Sequence, residues 1–126
     1  MNDTYEKMHG ADIGRLAIRK VCKWTNQRGC DDNWDIWCDQ DGKRQIIGQF
    51  EPGSTVDDAL KVYKHLDGPY ELTIEENKAQ GFDWFVMIER YQPKPEKYFI
   101  GKHDNIAHAL CQAMLLAMDA EDKPET

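Results

Sequence analysis

The chain of 126 residues carries 23 acidic against 16 basic side chains, a formal charge of −7, with 40 % hydrophobic and 31 % charged residues. That is apolar enough to fill one core, which excludes a chain disordered throughout, and its longest strongly apolar stretch, ALCQAMLLAM at 109–118, falls well short of the ~20 residues a bilayer requires. The acid excess weighs against direct nucleic-acid binding, which draws on many Lys and Arg contacts to phosphate, and suits contact with a basic partner surface.

In chain order, the opening MNDTYEKMHGAD is polar and lacks a basic start followed by an apolar run. It therefore does not read as a secretory signal, and the expected compartment is the cytoplasm, of a bacterial host cell if the resemblance below holds. Residues 1–9 are expected to be a flexible terminus. A first helix follows, with Ile13, Leu16, Ala17 and Val21 at helical spacing and Asp12 as its N-cap. NWDIWC and RQIIGQF flank DQDG, whose Asp41-Gly42 signals a hairpin. A second helix is expected in STVDDALKVYKHLDG: Ser54 or Thr55 caps it, Asp57 and Asp58 lie in its first turn, and Val56, Ala59, Leu60 and Tyr63 form its buried stripe.

Three strands come next. YELTIEE alternates Tyr70, Leu72 and Ile74 against Glu71, Thr73 and Glu75, as a strand with one wet face or edge does. WFVMIER is apolar on both faces, the pattern of a central strand covered on two sides, and KYFIG follows the Pro-broken turn QPKPEK. A third helix places Ile106, Ala109, Leu110, Ala113, Met114 and Ala117 on one stripe, widened by Cys111, Leu115 and Met118. The tail 120–126, ending in KPET, is expected to be disordered. These elements predict an α/β chain of the α+β type: a mainly antiparallel sheet of about five strands with three helices packed on it, one α-β-α sandwich domain over 10–119.

Three segments, VCKW (21–24), FEPGSTVDDALKVYKHL (50–66) and NIAHALCQAMLLAM (105–118), resemble the phage α-β-α sandwich family of small phage and prophage proteins. Where that family tends to carry Met-Gly before the Trp, this chain has Cys22-Lys23. The resemblance implies an α/β sandwich and a phage origin, and it brings no catalytic residues with it.

The chemistry-bearing residue types point to packing more than to reaction. Cys22, Cys30 and Cys38 are too widely spaced for a zinc knuckle, and a further ligand would have to come from His108 or Cys111. His108 and Cys111 are the only local thiol–imidazole pair, in a helix expected to be buried, where a thiol pKa rises. Ser54, the chain's single serine, has no nucleophile-elbow motif around it. Read as a calcium loop from Asp31, the acid run has Ile36 where glycine is needed and Gly42 where glutamate is needed. No catalytic residue, metal or cofactor is therefore expected.

Two surfaces remain as candidates. Trp37 with Asp31, Asp32, Asp35 and Asp39 of the first hairpin, next to Arg28, would form a partner-binding surface. Arg15, Arg19 and Lys23 at i, i+4 and i+8, with Arg28, would form an alternative anion grip for a small nucleotide or signalling phosphate. The function expected is that of a small non-enzymatic phage accessory protein. It binds a host or phage protein, with interference with a host defence or regulatory protein as its role. A homo-oligomer is left open, and contact with membrane is not expected.

Overall fold

The computed structural model describes residues 4–26, 35–48, 50–66, 68, 70–76, 83–91 and 96–122. It shows a mixed α+β architecture with two three-stranded antiparallel sheets and four helices among these residues, in place of the single sheet of about five strands with three helices that the sequence predicts.

Helix α1 (Thr4–Lys7) is a single turn that buries Tyr5, so part of the expected loose terminus is structured. Tyr5 donates its hydroxyl to Asp119 Oδ2 at 2.6 Å, and burial together with that carboxylate pushes its pKa up. Helix α2 (Gly10–Ala17) starts from His9, with Asp12 in its first turn and not at its cap, and buries Ile13 and Ala17. It then widens into a π turn, Ile18–Cys22, and stops at Lys23, whose φ of 62° is left-handed. A π turn takes more residues per revolution than an α turn. The predicted cationic stripe therefore loses its period halfway along: Arg15 is half-buried, while Arg19 and Lys23 are exposed.

Strands β1 (Thr25–Asn26), β2 (Asp35–Cys38) and β3 (Arg44–Gly48) make the first sheet, in that order. The β2–β3 register slips between Trp37 and Cys38, a bulge that bends the hairpin. Gly42, at φ 83°, makes the turn. Helix α3 (Val56–Tyr63) starts at Thr55, which makes no side-chain cap; the Asp58 carboxylate instead accepts the Glu51 backbone N–H at 3.0 Å.

The second sheet has β4 (Tyr70–Glu76), β5 (Trp84–Arg90) and β6 (Lys97–His103) in sequence order, and each neighbouring pair is antiparallel over seven residues in unbroken register. Helix α4 (Ile106–Asp122) packs against β5 and β6, and α1, α2 and α3 pack against α4. It runs three residues into the expected disordered tail. Alanines at 107, 109, 113 and 117 are fully buried and let the helices approach closely. Gly101 serves the same end: a Cβ at that position would collide with the Ala109 carbonyl oxygen. One core cluster joins Tyr5, Ile13, Ile18, Trp24, Trp37 and Phe50 to Val86, Ile88, Phe99 and the α4 stripe.

Candidate protein-binding surface

Successive strand residues point to opposite faces, so the register assigns every side chain of the second sheet to a side. Toward α4 lie Leu72 and Ile74 of β4, Val86 and Ile88 of β5, and Phe99 and Gly101 of β6. Val86 and Ile88 have no exposed surface. On the other side, Thr73, Met87 and Ile100 form one cross-strand row, Glu75, Phe85 and Lys102 the next, and Glu71, Glu89 and Tyr98 the third. Phe85, Met87 and Ile100 belong neither to the core nor to the shell of apolar side chains packed on it, and Tyr98 is 51 % exposed. This outer face is thus an apolar centre beside glutamates. Among the described residues, WFVMIER is fully buried on one side, at Val86 and Ile88, and half-buried on the other, at Phe85 and Met87, which falls short of the expected full cover on both.

The acids are locally tied. Glu71 and Glu89 stand directly opposite each other, and the Tyr91 hydroxyl lies 2.7 Å from Glu71 Oε2 and 2.8 Å from Glu89 Oε2. Those hydrogen bonds push the Tyr91 pKa above its ordinary 10. Tyr98 donates to Glu96 in the same manner at 2.8 Å. Phenol edges and a thioether are groups that protein interfaces favour, with the carboxylates beside them suited to a polar rim.

The residues singled out from sequence are distributed differently. Trp37 has 0 % exposure and belongs to the core, so its ring offers no anchor on the surface. Among the described residues its indole N–H has no hydrogen-bond partner. Asp39 organises the hairpin turn: Oδ1 accepts the N–H groups of Asp41 and Lys43, and Oδ2 accepts Gln45 Nε2, each at 2.9 Å. Asp35 lies on β2 at the Gly48 register position. Arg28, Cys30, Asp31 and Asp32 lie outside the described residues. Of the anion-grip set, Arg15, Arg19 and Lys23 follow the broken helical period described above. Nearby Lys20 is drawn off to Asp119 Oδ1 at 3.2 Å.

The thiols are held in packing positions. Burial pushes Cys22 and Cys111 up to about 12, and Cys111 donates its S–H to the Pro52 carbonyl at 3.3 Å. His108 is equally occupied. Its Nε2 lies 2.7 Å from the Met8 carbonyl, which requires the proton on that nitrogen, and its Nδ1 accepts from Gln112 Nε2 at 2.8 Å. Neither group of the predicted Cys–His pair has an atom free for the other. Among the described residues, no group of three or more His, Cys, Asp or Glu side chains is arranged to hold a metal ion, and no helix is long and apolar enough to cross a membrane.

Sequence reasoning missed Gln112 and His103. Gln112 is 1 % exposed, donates Nε2 to the Lys102 carbonyl at 2.9 Å and accepts the Lys102 N–H on Oε1 at 3.0 Å. Its amide thus occupies the free side of β6 as a neighbouring strand would. His103 stacks on His108 with centroids 3.8 Å apart and accepts the Asn105 N–H on Nδ1 at 3.0 Å. Asn105 Oδ1 in turn caps α4, accepting the Ala107 N–H at 2.8 Å. The signal in the sequence was a lone glutamine inside the apolar α4 stripe.

No protein-family model matches the chain, and neither a curated protein nor a solved structure does. The phage-family reading therefore rests on the three sequence segments.

Proposed function

We propose that the chain is a binding protein without catalytic chemistry of its own, and that it holds a protein partner against the outer face of the β4–β5–β6 sheet. The observation that carries this reading is the apolar trio of Phe85, Met87 and Ile100, from two adjacent rows, which is half-buried, left out of the core, and stands beside Tyr98 and the glutamates. Apolar side chains grouped on a face that the chain leaves partly open favour contact with a partner. With three glutamates on the face and a formal charge of −7, the fitting partner is basic. In the setting the resemblance implies, the protein is a phage accessory factor that covers the basic surface of a host defence or regulatory protein in the bacterial cytoplasm.

The test compares immobilised wild type with the double variant Met87→Lys/Ile100→Lys in bacterial lysate, after circular dichroism has shown both to be folded. Proteins retained by wild type, released by added salt and absent from the variant support the reading. Identical retention by both sinks it.

A further inference from the structure

The two edges of the second sheet are finished differently. On β6, the Gln112 amide takes both the N–H and the C=O of Lys102, so the C-terminal end of that edge is occupied by a side chain acting as a strand. On β4, among the described residues, nothing pairs with the outer side of 71–75. An open edge is a template for another chain, and glutamates are among the charged groups that select which chain is admitted.

The cover on the inner side also ends at β4. Val86 is fully buried beneath α4, yet Ile74, its register partner on β4, is 37 % exposed. Leu72, opposite the buried Ile88, is only half-buried. A strand laid alongside β4 would therefore meet apolar side chains on one face and Glu71 and Glu75 on the other.

Resting on the reading of this sheet as a protein-binding surface, we propose that the partner adds an extended segment to the β4 edge. The segment carries basic side chains at alternate positions toward Glu71 and Glu75, and apolar ones toward Leu72 and Ile74. Main-chain pairing supplies the register, and the two alternating sets supply selectivity. A second copy of this chain is the poorer occupant. Two β4 strands overlapping fully about Thr73 would set Glu71 opposite Glu75 on both sides of the axis, and like charges facing across a ladder repel.

The test uses seven-residue peptides, matched to β4, that alternate Lys and Val. Two further versions are methylated at every second backbone nitrogen, one in each phase, which keeps every side chain and charge but removes alternate N–H donors. Binding is measured by calorimetry, with hydrogen exchange read at 71–75. Strand addition predicts that the parent peptide binds and protects these amides. It also predicts that one methylated phase loses at least about tenfold in affinity while the other binds like the parent, and that Glu71→Lys/Glu75→Lys transfers the preference to a Glu-Val peptide. Equal binding of both methylated phases overturns strand addition and leaves charge attraction to the face standing. Absence of binding by all three overturns it too, while the Met87→Lys/Ile100→Lys comparison separately decides the fate of the face. A concentration-dependent dimer with protected 71–75 amides overturns it in favour of a second copy.

Discussion

The inner and outer faces of the β4–β5–β6 sheet are made from the same strands and carry similar side chains. Val86, Ile88 and Phe99 point one way; Phe85, Met87 and Ile100 point the other. The first three are buried, and the second three are half-buried and left outside the core. What separates them is the cover. Helix α4 reaches the inner face because Gly101 has no side chain and because alanine recurs along the helix. Apolar character in a strand thus shows that a face prefers cover, and not that the chain itself provides it. Taking one such side chain from full exposure to full cover is worth about 1.5–3 kcal/mol, and because the outer three are half-buried, part of that gain is still available to a partner.

The strongest way to break this asymmetry is to force the cover off. Gly101→Val places a branched side chain where the Ala109 carbonyl lies, and should destabilise the fold by about 3 kcal/mol or prevent folding, as read by urea unfolding. The adjacent pair Ile88→Ala and Met87→Ala sharpens the contrast at nearly constant chemistry. Ile88→Ala should cost about 3 kcal/mol, because the site is closed, and Met87→Ala under about 1 kcal/mol. Equal losses would mean that the outer face is covered after all.

A smaller effect is expected where α4 is locked to β6. Gln112→Leu keeps the volume but leaves the Lys102 N–H and C=O and His108 Nδ1 without their partner, at a cost of about 2 kcal/mol. Smaller still is an acid effect at His103. Burial, and next the neighbouring His108, lower its pKa below 6.5, against the opposing pull of Asp104 and Glu6. The unfolded chain then takes up this proton more readily than the folded one, so stability should decline as pH falls below 6.5 and show no contribution above it. His103→Asn keeps an acceptor for the Asn105 N–H and should flatten that decline in thermal melts recorded at stepped pH.

How far the residues announced all this differs by element. Strands β2 to β6 and helix α4 were legible because alternation and the 3.6-residue period are local properties, and Asp41-Gly42 marked its turn in advance. The division into two sheets was not, since it depends on which strands pair, and no strand's own pattern encodes that. WFVMIER misled for a specific reason: full burial on two sides and full burial on one side with half-burial on the other produce the same letters. Trp37 misled in the opposite direction, as an aromatic beside aspartates reads as surface, whereas it lies in the core. The π turn at Ile18–Cys22 left no mark, so the cationic stripe was drawn with a period the helix does not keep. Gln112 was visible as a polar residue in an apolar stripe, but its partner lies ten residues earlier and across an edge.

The gentlest probe is Tyr91→Phe, on the exposed side of the comparison. One phenol carries one proton, so it can donate to Glu71 or to Glu89 at any instant but not to both, although both oxygens lie within 2.8 Å. The hydroxyl eases two facing carboxylates by alternating between them, and both carboxylates in turn resist its ionisation. Its titration should therefore lie above the ordinary 10, and the difference in tyrosinate absorbance between wild type and variant should develop only beyond that pH. By linkage, whatever stability the pairing contributes is present below pH 10 and lost as the pH rises past it. Removing the hydroxyl should barely move the melting temperature at high salt and lower it slightly at low salt, where the facing charges are least screened. If Tyr91 titrates as an ordinary surface phenol, the carboxylates are not held against it. The outer face would then present its glutamates to a partner less ordered than the register places them.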